Sequence, residues 1–214
     1  MRSIGLDLDN TLIDYTPAFP HVARSLEIPC PATRRHLRDT LREHDDEGWQ
    51  QFQSLLYTDG LEHAVPAAGS LDFLRAAREA HLDTHIVSHK TITTPDRFGA
   101  RSLRQPALAW LMRHDIVPAL VIDPNIHFCA TRDEKVEVIR SAGFDWFVDD
   151  LREVLEHPGF PPATHGWWYH PERSVTDEAV GPEVRDADTD FPVSAEPVDF
   201  FELLRRLRAE LGTC

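Results

Sequence analysis

Four short strand-like runs separated by helix-like stretches constrain this chain more than any other feature. In residues 3–9, Ile4, Leu6 and Leu8 alternate with Gly5, Asp7 and Asp9. Residues 84–88 read Thr-His-Ile-Val-Ser, residues 144–149 Phe-Asp-Trp-Phe-Val-Asp, and residues 166–169 Gly-Trp-Trp-Tyr. A weaker fifth run covers Ile126–Ala130. Between them, Leu71, Leu74 and Ala77 recur at helical spacing, as do Leu108, Leu111 and Met112 behind Pro106. Thr131-Arg-Asp-Glu134 has the pattern of a capping box, so a helix is predicted from about Arg132 to Ser141, ending at Gly143. Phe200, Leu203, Leu204, Leu207 and Leu211 mark a last amphipathic helix. Such alternation predicts βαβ units around a mostly parallel sheet, an α/β fold.

The first two runs lie about 75 residues apart, too far for one crossover helix. Residues 14–65 are therefore read as an inserted helical subdomain, with 1–13 and 66–214 as the α/β core. Its apolar positions are Leu37, Leu41, Trp49, Phe52, Leu55 and Leu56, and Gly48 is a candidate break between two helices. An insertion directly after the first strand would lie over the carboxyl ends of the sheet, where open parallel sheets bind ligands.

The 214 residues suffice for one large domain, or one domain carrying a small insert. The net charge of −14 argues against nucleic acid or an anionic membrane as partner. Half of that charge is local, because residues 172–199 hold nine acids against Arg173 and Arg185. No apolar run approaches a membrane span, and acids interrupt the N-terminus where an export signal needs an apolar stretch. Cys30, Cys129 and Cys214 are too scattered for a disulfide framework or a zinc site, so a cytoplasmic protein is expected.

Asp7 and Asp9 are the sharpest chemical signal. Carboxylates at i and i+2 on a strand share a face, and two buried like charges call for a cation. Mg²⁺ suits such oxygen ligands. Asp149 and Asp150 end another apolar run and would complete an oxygen-rich pocket. Ser88, at a third strand tip, offers a hydroxyl to a phosphoryl oxygen. Lys135 lies at a helix start, where backbone N–H groups already favour anions. Residues 91–104 carry turn chemistry and are read as bordering the substrate entrance, with His89, Lys90 and Arg97 as candidate substrate contacts.

Taken together, these residues resemble the haloacid dehalogenase (HAD) superfamily over roughly residues 3–170. Asp7-x-Asp9-x-Thr11 matches its motif I, Ser88 motif II, Lys135 motif III and Asp149-Asp150 motif IV. The segment Ser88-His-Lys-Thr is also similar to an uncharacterised subgroup of HAD hydrolases. The resemblance implies a Rossmann-like sheet of order 5-4-1-2-3 with a C1-type helical cap at 14–65. It implies Asp7 as nucleophile and Asp9 as acid and base. Mg²⁺ would be held by Asp7, Asp9 through its main-chain carbonyl, Asp149 and Asp150, and the phosphoryl group by Asn10, Thr11, Ser88 and Lys135. The second motif I acid favours phosphoryl chemistry over dehalogenation, because a halide leaves without a proton.

The expected function is Mg²⁺-dependent hydrolysis of a small phosphomonoester, with a small phosphorylated metabolite as partner. The alternatives are a phosphoryl transferase or phosphomutase, and a catalytically silent binding or regulatory protein. His81, His85 and His89 share a zinc-like spacing of four, but the strand at 84–88 breaks any common helix face. Arg34, Arg35, Arg38 and Arg42 are read as a solvated cap-helix face.

Overall fold

The structure is a computed structural model describing residues 1–28, 46–170 and 198–212. Its strands are β1 (Ser3–Leu6), β2 (Ile13–Asp14), β3 (Val65–Pro66), β4 (Asp83–His89), β5 (Ile126–Cys129), β6 (Trp146–Asp149) and β7 (His165–Trp168). Its α-helices are α1 (Phe19–Ser25), α2 (Asp46–Leu56), α3 (Ser70–Glu79), α4 (Arg104–Arg113), α5 (Arg132–Ala142), α6 (Arg152–Leu155) and α7 (Phe200–Leu211).

Five strands form one sheet in the order β5-β4-β1-β6-β7, every pair parallel. Counted along the chain, that is fifth, fourth, first, second, third when read from the β7 edge, the expected order. The central strands β1 and β6 are buried on both faces, and alternate residues feed opposite layers. Ile86 and Val148 join Leu74, Ala77, Leu203 and Leu207 in one cluster; Val87 and Phe147 join Val136, Ile139 and Phe160 in the other. Burying each such side chain is worth about 1.5–3 kcal/mol. Gly5 admits no replacement without movement: a Cβ there would lie 2.6 Å from the Phe147 ring.

The capping box forms at α5, where the Glu134 N–H donates to Thr131 Oγ1 at 3.1 Å. The Glu134 carboxylate accepts from the Ala130 N–H at 2.7 Å, and Gly143 closes the helix in the left-handed conformation. Asp199 caps α7 by accepting from the Glu202 N–H at 2.8 Å. After residue 170 the described chain resumes at Val198, which bridges to Tyr169 beside β7 before α7 begins.

The insert is joined at its base by a short antiparallel ladder that sequence reading did not foresee, pairing Ile13 with Pro66 and Asp14 with Val65. Gly48 lies in the first described turn of α2, and the residues that would form a helix before it lie outside the described ones. Val22, Trp49, Phe52, Leu56 and Leu61 of this region belong to the same apolar cluster as β1 and α3. Leu37, Leu41 and the arginines at 34, 35, 38 and 42 lie outside the described residues, as does nearly all of the acidic stretch 172–199. The three spaced histidines fall in a turn (His81) and on β4 (His85 and His89), so they share no helix. No helix among the described residues is long and apolar enough to cross a membrane.

Candidate active site

Register brings the functional side chains together. Leu6 pairs with Ile86 on one side and Val148 on the other, so the ends of β1, β4 and β6 lie side by side. The ladder of β1 stops at Leu6, although the Asp7 N–H still donates to the Val148 carbonyl at 2.8 Å. Beyond it the chain coils tightly. The Leu8 carbonyl accepts from the N–H groups of both Leu12 and Ile13, and Asn10 takes a left-handed φ of 63°, a region asparagine tolerates better than most residues. Asp9 therefore sits in a loop, not on a strand. The rule that i and i+2 share a face stops short of it, and the two acids take different partners.

Asp7 belongs to a buried cluster. Lys135 Nζ lies 2.5 Å from Asp7 Oδ1 and 2.7 Å from Asp149 Oδ2, and all three side chains are almost fully enclosed. The other Asp149 oxygen accepts from the Leu151 N–H at 3.0 Å. Asp7, Asp149 and Asp150 each place an oxygen within 4.8 Å of the others. Burial, with the charges of Asp149 and Asp9, raises the Asp7 carboxyl to about 7 against the opposing pull of Lys135. For Lys135, burial disfavours the ammonium, yet the charges of Asp149 and Asp7 outweigh it and hold the amine protonated above its ordinary range. One ammonium thus leaves the acids incompletely neutralised. An all-oxygen donor set short of positive charge fits a hard divalent cation such as Mg²⁺, and Asp7, Asp149 and Asp150 are the side chains able to hold it.

Asp9 belongs to a different environment. Lys90 Nζ lies 3.1 Å from its Oδ1 and 2.8 Å from its Oδ2. The Tyr15 hydroxyl donates to Oδ1 at 2.5 Å, and Ser88 Oγ reaches Oδ2 at 3.5 Å. Burial, then the charge and hydrogen bond of Asp9, raise the Tyr15 phenol well above its ordinary value, so it stays a donor. The Lys90 ammonium also stands over the Tyr57 ring, 4.8 Å from its centroid, and Tyr57 meets Tyr15 edge-on at 5.3 Å.

Ser88 is enclosed at the strand end, as is Thr11 in the loop after Asp9. The Thr11 hydroxyl has no hydrogen-bond partner among the described residues, and Asn10 is half-buried at the loop tip. The three candidate substrate contacts separate. His89 is exposed and lies 3.2 Å from the Ala130 carbonyl. Arg97 is exposed and engages Gln50 and, at 3.9 Å, Glu47 of α2. Lys90 is buried against Asp9. Arg101 also reaches the insert, pairing through both terminal nitrogens with Asp59. Sequence reading missed Tyr15 and Tyr57, because neither sits at a spacing that marks it.

Comparison with solved structures gives the class of this fold: it is the haloacid dehalogenase-like α/β fold with an insert. The chain is similar to a HAD family hydrolase from Deinococcus radiodurans, solved with bound phosphate and sodium. The TM-score is 0.59 at 13% identity, covering 100% of this chain and 97% of the other. It is also similar to Protein Tyrosine Kinase A (PtkA) of Mycobacterium tuberculosis, with a TM-score of 0.54 at 17% identity over 99% and 98% of the two chains. A HAD-superfamily hydrolase from Ehrlichia chaffeensis gives a TM-score of 0.52 at 13% identity over 99% and 98%. No protein-family model matches the sequence, and no curated protein matches it.

Proposed function

We propose that this protein is a Mg²⁺-dependent phosphatase that hydrolyses a small phosphomonoester, acting in the cytoplasm on a phosphorylated metabolite. The observation that carries the reading is the buried Asp7 carboxylate, 2.5 Å from Lys135 and grouped with Asp149 and Asp150. The Deinococcus relative, with its bound phosphate, adds support from the same fold.

In this reading an Asp7 oxygen attacks phosphorus, forming an Asp7–phosphoryl bond as the bond to the leaving oxygen breaks. Asp9 gives that oxygen its proton, then takes one from the water that attacks the aspartyl-phosphate. The second step releases inorganic phosphate, restores the Asp7 carboxylate and leaves Asp9 protonated for the next cycle. Lys135 and Ser88 meet the phosphoryl oxygens as their charge shifts, with Asn10 and Thr11 lining the loop. A cation bound to Asp7, Asp149, Asp150 and the Asp9 main-chain carbonyl would supply further positive charge for the phosphoryl group. We assign residues 14–65 to a cap of C1 type over this site, which limits substrate size.

The test is p-nitrophenyl phosphate hydrolysis with Mg²⁺ and with excess chelator, in wild type and Asp7→Asn. Turnover should require Mg²⁺ and fall by about three orders of magnitude or more in the variant, the scale of losing a covalent nucleophile. Undiminished turnover in chelator or in a folded Asp7→Asn protein overturns the mechanism. Phosphate appearing on an added alcohol instead of water would favour a transferase, and no turnover at all a silent binding protein.

A further inference from the structure

Lys90 is a long basic side chain in a place that ordinarily excludes one. Its side chain is 2% exposed, and its ammonium already engages both oxygens of Asp9. Its main chain is fixed on both sides: the N–H donates to the Cys129 carbonyl at 2.8 Å, and the carbonyl accepts from Arg104 Nε at 3.1 Å. The ammonium spans both oxygens of Asp9 and leans on the face of Tyr57. A buried ion pair is weak evidence for stability, because desolvation offsets its attraction. What it does supply is a fixed geometry.

That geometry distinguishes the two Asp9 oxygens. A carboxylate oxygen has two lone-pair sites. Oδ1 receives Tyr15 at 2.5 Å and Lys90 at 3.1 Å, so it is saturated. Oδ2 receives Lys90 at 2.8 Å and only a long contact from Ser88 at 3.5 Å. Oδ2 is thus the oxygen with capacity left to exchange a proton with a reacting oxygen.

We propose that Lys90 is a positioning residue which, backed by Tyr57 and assisted by Tyr15, holds the Asp9 carboxylate so that Oδ2 faces the reacting oxygens. This rests on the phosphatase reading above. It also reassigns Lys90, expected from sequence to touch substrate, to acting through Asp9.

Leaving-group dependence separates the two roles. The probes are p-nitrophenyl phosphate, whose phenolate needs little help from an acid, and phenyl phosphate, whose more basic phenolate needs more. Lys90→Met should lower kcat/KM on phenyl phosphate, which reports the step in which the leaving oxygen departs, by about 10–100-fold, within the range of misplaced acid–base catalysis. The loss on p-nitrophenyl phosphate should be at least about fivefold smaller, KM should stay within about threefold, and Lys90→Arg should recover part of the loss. A raised KM with kcat unchanged would make Lys90 a substrate anchor and overturn the proposal. Equal losses of kcat/KM on both esters would also overturn it, since a merely structural defect ignores the leaving group. Should Lys90→Met fail to fold, Lys90→Arg and Tyr57→Leu carry the same comparison.

If wild type hydrolyses neither ester, the phosphatase reading falls, and the pairing is judged without turnover by a thermal double-mutant cycle of Lys90→Met with Asp9→Asn. Positioning expects the double variant to lose less Tm than the sum of the singles by about 4 °C or more. Additive losses overturn it.

Discussion

Asp7 and Asp9 stand two residues apart and are held by different parts of the molecule. Asp7 is held by the sheet itself, with Asp149 from the end of β6 and Lys135 from the first turn of α5. Asp9 is held by Lys90 and Ser88 of the β4 end together with Tyr15 and, behind Lys90, Tyr57 from the insert. The Asp7 side gathers acids around one ammonium and is left short of positive charge. On the Asp9 side a single carboxylate is surrounded by donors. The first arrangement suits binding a cation and a phosphoryl group, the second suits holding one proton-transfer group still. Backbone proximity therefore does not imply a shared role, and the described residues of the insert contact the Asp9 half.

Substitutions can break this division. Asp9→Asn should leave Asp7 and its cluster in place yet lower kcat on phenyl phosphate by about 10²–10⁴-fold, with Mg²⁺ binding retained. A loss of Mg²⁺ affinity equal to that of Asp7→Asn, read by calorimetric titration, would show that the halves are one unit. Lys135→Met leaves two buried acids facing each other and should cost about 3–5 kcal/mol in chelator by denaturant unfolding, with part restored by Mg²⁺. No restoration would argue against a cation at this cluster. Gly5→Ala should cost about 1–3 kcal/mol, because the new Cβ drives Phe147 and so disturbs β6. It should weaken Mg²⁺ binding through Asp149 more than it alters the leaving-group preference set by Asp9. Arg101→Ala, which removes an exposed pair with Asp59 on the insert side, should cost at most about 1 kcal/mol. A larger loss in thermal unfolding would mean that this pair anchors the insert.

The same division marks what was legible in the sequence. Asp7, Asp149 and Lys135 sit at strand ends and a capped helix start, and period, capping and chain order place all three at the carboxyl end of the sheet. The strand order itself came with the HAD resemblance and agrees with the pairing found. Asp9 was legible as a residue but not in its surroundings, because β1 ends at Leu6 and the alternation that governs strands ends with it. Tyr15 and Tyr57 were not legible. Their meeting over Asp9 depends on how the insert folds back, through the Ile13–Pro66 ladder and a tertiary packing that no local pattern encodes. Lys90 was noticed for its charge, and only its burial reveals that the charge points inward.

The apolar cluster that runs unbroken from β1 and α3 into Val22, Trp49, Phe52 and Leu56 has a thermal consequence. Any motion that parts the insert from the sheet must wet some of these side chains. Exposure of apolar surface carries a positive heat-capacity change. Admission of a substrate by such a motion would then have a free-energy cost that curves with temperature, and its enthalpy would grow as the protein warms. Entry through side-chain or loop rearrangement at 91–104 would expose far less and follow a nearly straight Eyring plot.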